Sequence, residues 1–486
     1  MATRPWRWFR RNRFIRLSAE IFMLGLFGTM DLARRSMQAQ MTGVTIAGQN
    51  LANVNTPGYS RQRVDLSTTP DLPTMAGSIG TGVQVAGIQQ IVSDLLNGQI
   101  TSQNSTSGYW SGKQTALQSA QDALGEFLNT DNGVGSNGLS SQLNNLFSAF
   151  QAVATSPNSV SARQALIGAA QNLATIFNQV GAKLTDLRGA LNTSLNNDVD
   201  SANKFLSQIA DLNKQIDNTE FAGGNANDLR DKRQLALESL SKLADITTSA
   251  GTHGEVNVSI GGQLLVNERT VADTLKTYDA GGGQMLLKTA TGGVNLTLAH
   301  GSMQGTIDAR DTDLAGMQTK LDSLAANLIS SINTVHSAGF SPSGTTGANF
   351  FSGTSAGTIS LNSALVNNPS LVQTAASATA TGDNSVALQL AQLASAAQAG
   401  LSNQTFGNFY GATVAGLGTA LNNANSQVAD QATVAEMFST QRGSVSGVNL
   451  DEEMTNLLSF QRAYQASAEL LKTVDQMIQV TLAMKS

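Results

Sequence analysis

Cysteine is absent from the 486 residues, so the chain forms no disulfide and no thiolate metal site. Charged residues make up only 13%, about half the usual share; Gln, Asn, Ser, Thr, Ala and Gly stand in their place. Seven prolines are few for this length, which leaves room for long helices. No run approaches the ~18 apolar residues of a membrane span. The three histidines, His253, His300 and His336, lie far apart and lack the spacing of a metal-ligand set.

Catalytic motifs are equally thin. Gly353-Thr-Ser355-Ala-Gly357 matches the hydrolase elbow. An elbow needs a strand before it, a helix after it, and a His and an acid supplied by the fold; the flanks here read as loop. Gly108-Tyr-Trp-Ser-Gly112-Lys113-Gln has the wrong spacing for a phosphate loop and ends in Gln. Glu452 and Glu453 read as charges at a helix start, where they favour the helix dipole, not as an acid–base pair. A secreted serine hydrolase using Ser355 stands as a distant alternative, and no cofactor is implied. Nucleic acid is disfavoured too. Six arginines against one glutamate give residues 1–22 a charge of +5, so the rest carries −10 beneath an overall −5, and an acidic body repels phosphate.

What is present is periodicity. From Met23, the residues Met30, Met37, Val44 and Leu51 recur every seventh position, the stripe of a helix that packs on another. Asn53-Val-Asn55-Thr-Pro57-Gly58-Tyr59-Ser-Arg61 follows. Pro57 fixes φ and Gly58 accepts φ > 0, so Thr56–Tyr59 suits a type II turn. At the other end Leu450, Leu457, Tyr464, Leu471 and Ile478 repeat every seven residues, with Phe460 and Val474 at a second heptad position. Asn449 suits the cap of that helix. These stripes fit ordinary core packing as well as contact between subunits.

The rest divides by pattern. Residues 1–22 form a basic extension, which Glu20 and the lack of a cleavage site separate from a signal peptide. Residues 23–60 hold the first helix and turn, 61–92 an extended connector, and 93–245 a long-helix bundle with one helix from Ser161 to about Asn218. An antiparallel β unit (246–300) follows, then a returning helix (301–340) and a loop-rich segment (341–383). A helical return (384–442) ends at a break over Gly443–Gly447, before a terminal helix in 448–486. Helix is expected over Asn384–Gln398 and again from Phe409. The fold expected is mainly α with a smaller β part: an elongated multi-domain subunit with paired N- and C-terminal helices in a coiled coil, and a long-helix bundle with antiparallel strands.

Asn53-x-Asn55-Thr-Pro-Gly-Tyr-Ser-Arg61 after an amphipathic helix resembles the signature of flagellar axial proteins: rod, hook and hook-associated proteins. Further passages resemble the hook-associated proteins of the hook–filament junction. They are Asn227-Asp-Leu-Arg-Asp-Lys-Arg233, Val256 to Asn267, Ile332-Asn-Thr-Val-His336-Ser-Ala-Gly339, Asn349-Phe350-Phe351, Thr405-Phe406 near Tyr410, and Ser446 to Glu453. Leu457-Leu-Ser-Phe460-Gln-Arg-Ala-Tyr464 is shared more widely among axial proteins.

The resemblance implies a structural adaptor without catalysis. It would self-associate in a ring at the hook tip, between the hook protein and a second hook-associated junction protein. It would be extracellular, leaving through the flagellar type III apparatus with an export chaperone on its C-terminal helix. Another axial protein (hook, rod or second junction protein) is the nearer alternative. On this reading Met23 is the natural start, the terminal helices order on assembly, and the outer domain after Phe351 is reduced or absent. The assembly interface would comprise Met30, Met37, Val44, Leu51, Asn53, Asn55, Pro57, Gly58, Tyr59, Leu450, Leu457, Phe460, Tyr464, Leu471, Val474 and Ile478.

Overall fold

The computed structural model describes residues 12–74, 77–128, 138–380 and 382–484. Most of the basic extension, residues 1–11, and nearly all of the glycine-rich loop before Leu139 lie outside these.

A helix, α1 (Asn12–Ala52), opens the described chain, eleven residues before Met23. The connector is a two-stranded ribbon of β1 (Gln62–Thr68) and β4 (Val83–Gln90), antiparallel from Gln62↔Gln90 to Thr68↔Val83, with a register shift at Asp65/Leu66. A short hairpin of β2 (Leu72–Thr74) and β3 (Gly77–Ile79) caps it. The ribbon lies against α1. Gly82, at φ +112°, lets the turn back into β4 settle over Leu32.

The body follows with α2 (Asp94–Leu128), α3 (Leu139–Thr155), α4 (Val160–Phe221) and α5 (Asn227–Leu243). At 62 residues, α4 is roughly 93 Å long at 1.5 Å per residue. Ser159 caps it by accepting from the Ala162 N–H, and buried residues at steps of four and three run along its length. Its first half, Leu166 to Leu191, packs into one core with α3 and the later bundle helices; its second half, Leu195 to Ala210, packs into another with α5 and the strands. One helix is thus the shared wall of two cores.

The β unit is two antiparallel sheets. One is β5 (Ile246–Ala250), β6 (Val256–Ile260), β7 (Gln263–Asn267) and β8 (Thr270–Val271) in sequence order. The other places β10 (Met285–Thr289) between β9 (Leu275–Asp279) and β11 (Asn295–Leu296). Val258, Ile260, Leu265, Val266 and Leu287 turn inward onto α4 and α5.

The returning helix has three parts: α6 (Ser302–Asp308), a wide π turn over Ala309–Leu314, and α7 (Ala315–Ser337). The π turn carries Arg310 inward. There its guanidinium is held by both carboxylate oxygens of Asp311 and by Asn192 Oδ1 at 2.7 Å. The loop-rich segment contains β12 (Phe351–Ser352), β13 (Ser360–Leu361) and the single turn α8 (Ser363–Asn367). Phe350 and Phe351 fill the first core, and burial of each such ring contributes roughly 1.5–3 kcal/mol. His336 is buried here too; Nδ1 donates to Ala348 O (2.8 Å) and Nε2 accepts from Gln373 N (3.0 Å).

Two helix boundaries depart from the sequence pattern. Helix α9 (Ser385–Gln392) stops six residues before Gln398. Gln398 and Gly400 are drawn onto α7 by hydrogen bonds with Ser331 (2.8 Å) and Asn327 (3.4 Å), which seats Leu401 in the core; tertiary contacts override the local preference. Helix α10 (Phe406–Ser446) begins earlier than expected and runs straight through Gly443. A helical glycine costs only about 1 kcal/mol. The stop falls instead at Gly447, whose N–H bonds to Gly443 O.

The last helix, α11 (Leu450–Ala483), is capped by Asn449, which accepts from the Asp451 and Glu452 N–H groups. It lies antiparallel on α1. Ser36 meets Ser467 (2.8 Å), Gly43 meets Phe460, and Asn50 meets Glu453 (3.0 Å); each step of seven along α1 is a step of seven back along α11. The seam on α1 is one residue out of phase with the expected stripe. Ala33, Ser36, Gly43, Ala47 and Asn50 form it, because small side chains let two helices approach and gain dispersion contact. Met37, Val44 and Leu51 flank it half-buried, and Met30 is exposed. On α11 the expected residues fit better. Val474 is buried, and Leu457, Phe460, Tyr464, Leu471 and Ile478 are half-buried, while Leu450 is exposed.

Candidate functional site

The chain leaves α1 through the Pro-Gly turn. Asn53 donates to Gln49 O (3.0 Å) and receives Thr56 Oγ1 on its own Oδ1 (3.1 Å), closing off the helix end. Tyr59 N bonds to Thr56 O at 3.2 Å, and Gly58 holds φ +77°, the geometry of a type II turn. Glycine is required there twice over: a Cβ would also sit 2.5 Å from Leu235 of α5. Asn55 and Pro57 stay exposed.

Beyond the turn lies a network that joins three passages far apart in sequence. Asn50 is its hub. Its amide donates to Gln62 O (2.8 Å) and Glu453 Oε2 (3.0 Å), while its oxygen accepts from Tyr59 OH (2.8 Å) and Gln62 N (3.0 Å). All four of its hydrogen-bonding positions are used. Asp231 on α5 accepts from Ser60 N (3.0 Å), Ser60 Oγ (2.7 Å) and the Gln90 amide. Gln62 reaches Asp228 (2.9 Å), and Asn227 reaches Ile88 O (3.0 Å). Arg61 spans to α11, with Nε to Glu453 at 2.7 Å and a terminal nitrogen to Glu452 at 2.7 Å. Its backbone N–H bonds to Ser446 O at 2.9 Å.

Burial sets the electrostatics. It pushes the Asp231 carboxyl up to about 6, against the Ser60 hydrogen bonds that hold it down. Burial, with Asp228, Asp231 and Glu453 near, pushes the Tyr59 phenol up to about 12. Burial works against the Arg61 cation, but Glu452 and Glu453 outweigh it and raise its pKa. Glu453 is 3% exposed. It is more than a charge at a helix start: it is a buried acceptor shared by Asn50 and Arg61. An open cleft of about 750 Å³ lies alongside, walled by the turn, α5, β5 and the end of α10.

Of the expected site residues, Asn53, Gly58 and Tyr59 converge at this joint. The heptad residues lie along the helix pair above it. Asn50, Gln62, Gln90, Asp228 and Asp231 are not expected site residues, and Arg61 and Glu453 join them from the signature and from the start of α11. Their signal was that Asn227–Arg233 and Ser446–Glu453 carry the family resemblance although they lie far in sequence from the signature.

No acyl-transfer site forms around Ser355. Its Oγ pairs with Thr358 Oγ1 at 2.9 Å in an exposed turn between β12 and β13, with no helix behind it. His336 has both ring nitrogens committed to backbone groups. Among the described residues, no helix is long and apolar enough to cross a membrane.

Residues 124–351 match the family model of the flagellar hook-associated protein FlgK helical domain. Residues 439–484 match that of the flagellar basal body rod FlgEFG protein C-terminal region. Flagellar hook-associated protein 1 of Bacillus subtilis is 30% identical over 504 residues, covering 94% of this chain and 98% of its own. The Salmonella typhimurium protein of the same name is 24% identical over 557 residues, covering 93% and 98%. The solved flagellar hook junction protein FlgK from Burkholderia pseudomallei shares the fold, with a TM-score of 0.63 at 17% identity over 72% of this chain and all of its own. With the axial signature folded into a joint between paired terminal helices and a helical body, and with a relative this similar along nearly its whole length, the chain belongs to the flagellar hook-associated protein 1 family.

Proposed function

We propose that the chain is a structural adaptor of the bacterial flagellum that assembles at the hook tip and joins hook to filament. The observation that carries the reading is the outer side of the terminal pair. Phe27 (59% exposed), Met30 and Met41 on α1 and Met454, Leu458, Leu470, Met477 (55% exposed) and Val480 on α11 lie open to water. Each helix buries one flank on the other and leaves a second apolar flank uncovered, which marks a contact surface.

Copies of the same subunit cover that surface in a ring, with the hook protein below and the second junction protein above. The interface expected from the sequence divides accordingly. Leu457, Phe460, Tyr464, Leu471 and Val474 hold the pair; Met30 and Leu450, with the flanks Met37, Val44 and Leu51, face neighbours. Before assembly the exposed face of α11 needs a cover, which an export chaperone supplies, and a terminal pair lacking its neighbours passes readily through the type III channel. The family is structural, so the work is binding and not catalysis.

Deletion with localisation tests this. Cells lacking the protein, in a strain without a second copy, should build hooks and shed flagellin without filaments. Normal filaments in that strain would overturn the assignment.

A further inference from the structure

A cluster at the end of α4 takes no part in the joint or the helix pair. Asp217 stands on the last turns of α4. His253 and Glu255 lie in the turn from β5 to β6, and Arg269 in the turn from β7 to β8. One ligand atom from each of Asp217, His253 and Glu255 lies within 4.8 Å of the others. The Glu255 side chain is fully buried. Its Oε2 accepts from the His253 backbone N–H at 2.6 Å. Its Oε1 accepts no hydrogen bond and faces Arg269 Nε at 3.5 Å. Arg269 also pairs with Asp217 at 2.6 Å, and its side chain is 43% exposed.

The turn is pinned from beneath. Arg233 donates to Gly254 O (2.8 Å), while Asn213 accepts from Val256 N (3.2 Å) and donates to Val256 O (2.9 Å). Glu255 is therefore held in place on both sides. A carboxylate withdrawn from water needs a cation close by. Arg269 fills that need at a distance, from a side chain that Asp217 holds and that is partly open to solvent.

We propose that Asp217, His253 and Glu255 form a three-ligand site for a divalent transition cation, with zinc the best fit, and that Arg269 is the counter-ion that holds the place until the metal arrives. Two carboxylates and an imidazole suit zinc, with water as fourth ligand; calcium wants six or more oxygens. Tetrahedral bonds of about 2.1 Å put ligand atoms about 3.4 Å apart, so the three close in as Arg269 leaves. The backbone of the turn stays pinned, and the exposed His253 side chain and the half-exposed Arg269 side chain are the parts that adjust. The bound ion would tie the end of α4 to the β5–β6 turn.

The full-length chain, stripped with chelator and dialysed, is titrated with zinc chloride by calorimetry, circular dichroism confirming that each variant is folded. One saturable micromolar site is expected. Arg269→Ala removes the competing cation and tightens binding about fivefold or more. His253→Ala and Asp217→Asn each weaken it about tenfold or more. Absence of one-site binding in both the natural chain and Arg269→Ala overturns the proposal, as does zinc binding that His253→Ala leaves unchanged.

Discussion

Gly43 of α1 and Phe460 of α11 share one place in the terminal pair: a Cβ on residue 43 would lie 2.6 Å from the Phe460 ring. The two helices meet here through the absence of a side chain. Gly43→Val should force them apart at a cost of roughly 1–3 kcal/mol. Motility should fall while export continues. Phe460→Ala added to Gly43→Val should recover part of the loss, a non-additive coupling that swarming assays of the single and double variants would read.

The turn at Gly58 makes two demands that can be separated. Gly58→Ala faces a positive φ, worth about 1–2 kcal/mol, and a collision with Leu235. Leu235→Ala removes only the collision. Urea denaturation should show Gly58→Ala as the most destabilised single variant at the joint. Pairing it with Leu235→Ala should restore the steric part and leave the backbone part.

Acid acts on the body in two opposed ways. Asp231 holds a folded-state pKa of about 6 against 3.8 unfolded. Between those values the folded chain binds the extra proton, so its contribution to stability grows as pH falls from 6 to 4. His336 is the reverse. Burial lowers it from 6.5 to about 4, the unfolded chain takes the proton first, and roughly 3 kcal/mol drains away over that fall. Denaturation midpoints at pH 7, 5.5 and 4.5 should therefore rise with acid in His336→Gln and drop more steeply than the natural chain in Asp231→Asn.

Leu457 and Leu458 are neighbours with different tasks. Leu457 faces the seam half-buried and Leu458 is exposed. Both Leu457→Asp and Leu458→Asp should abolish assembly, for different reasons. The cysteine-free background offers a clean readout, because Ser36 Oγ and Ser467 Oγ lie 2.8 Å apart. Cysteines at those two positions should form a disulfide in the Leu458→Asp chain and do so poorly in the Leu457→Asp chain.

The long helix was legible because one step pattern, four and three, runs from Leu166 to Leu195 with scarcely a gap. The joint was not. Ser60 and Asp231 are 171 residues apart and Asn50 and Glu453 403, and no local pattern announces a bond across such distances. The seam of α1 was misread by one residue for a related reason. Hydrophobic periodicity weights large side chains, and Met30, Met37 and Val44 dominated it, while the contact was chosen by Gly43, Ala47 and Ser36. Gly443 misled as a stop because one exposed glycine costs a helix only about 1 kcal/mol, too little to end it.

The link that enters α11 from α10 is three residues, Gly447 to Asn449, whereas the one between α1 and α2 runs to some forty. The short one is a fulcrum. Arg61 N–H on Ser446 O fixes its position, and α11 extends from it as an arm roughly 50 Å long. A sideways push at the far end of that arm is multiplied at the base. Rocking at that base strains the bonds from Arg61 to Glu452 and Glu453. The far end of α11 therefore cannot move without loading the polar contacts that Arg61 and Asn50 make at its base.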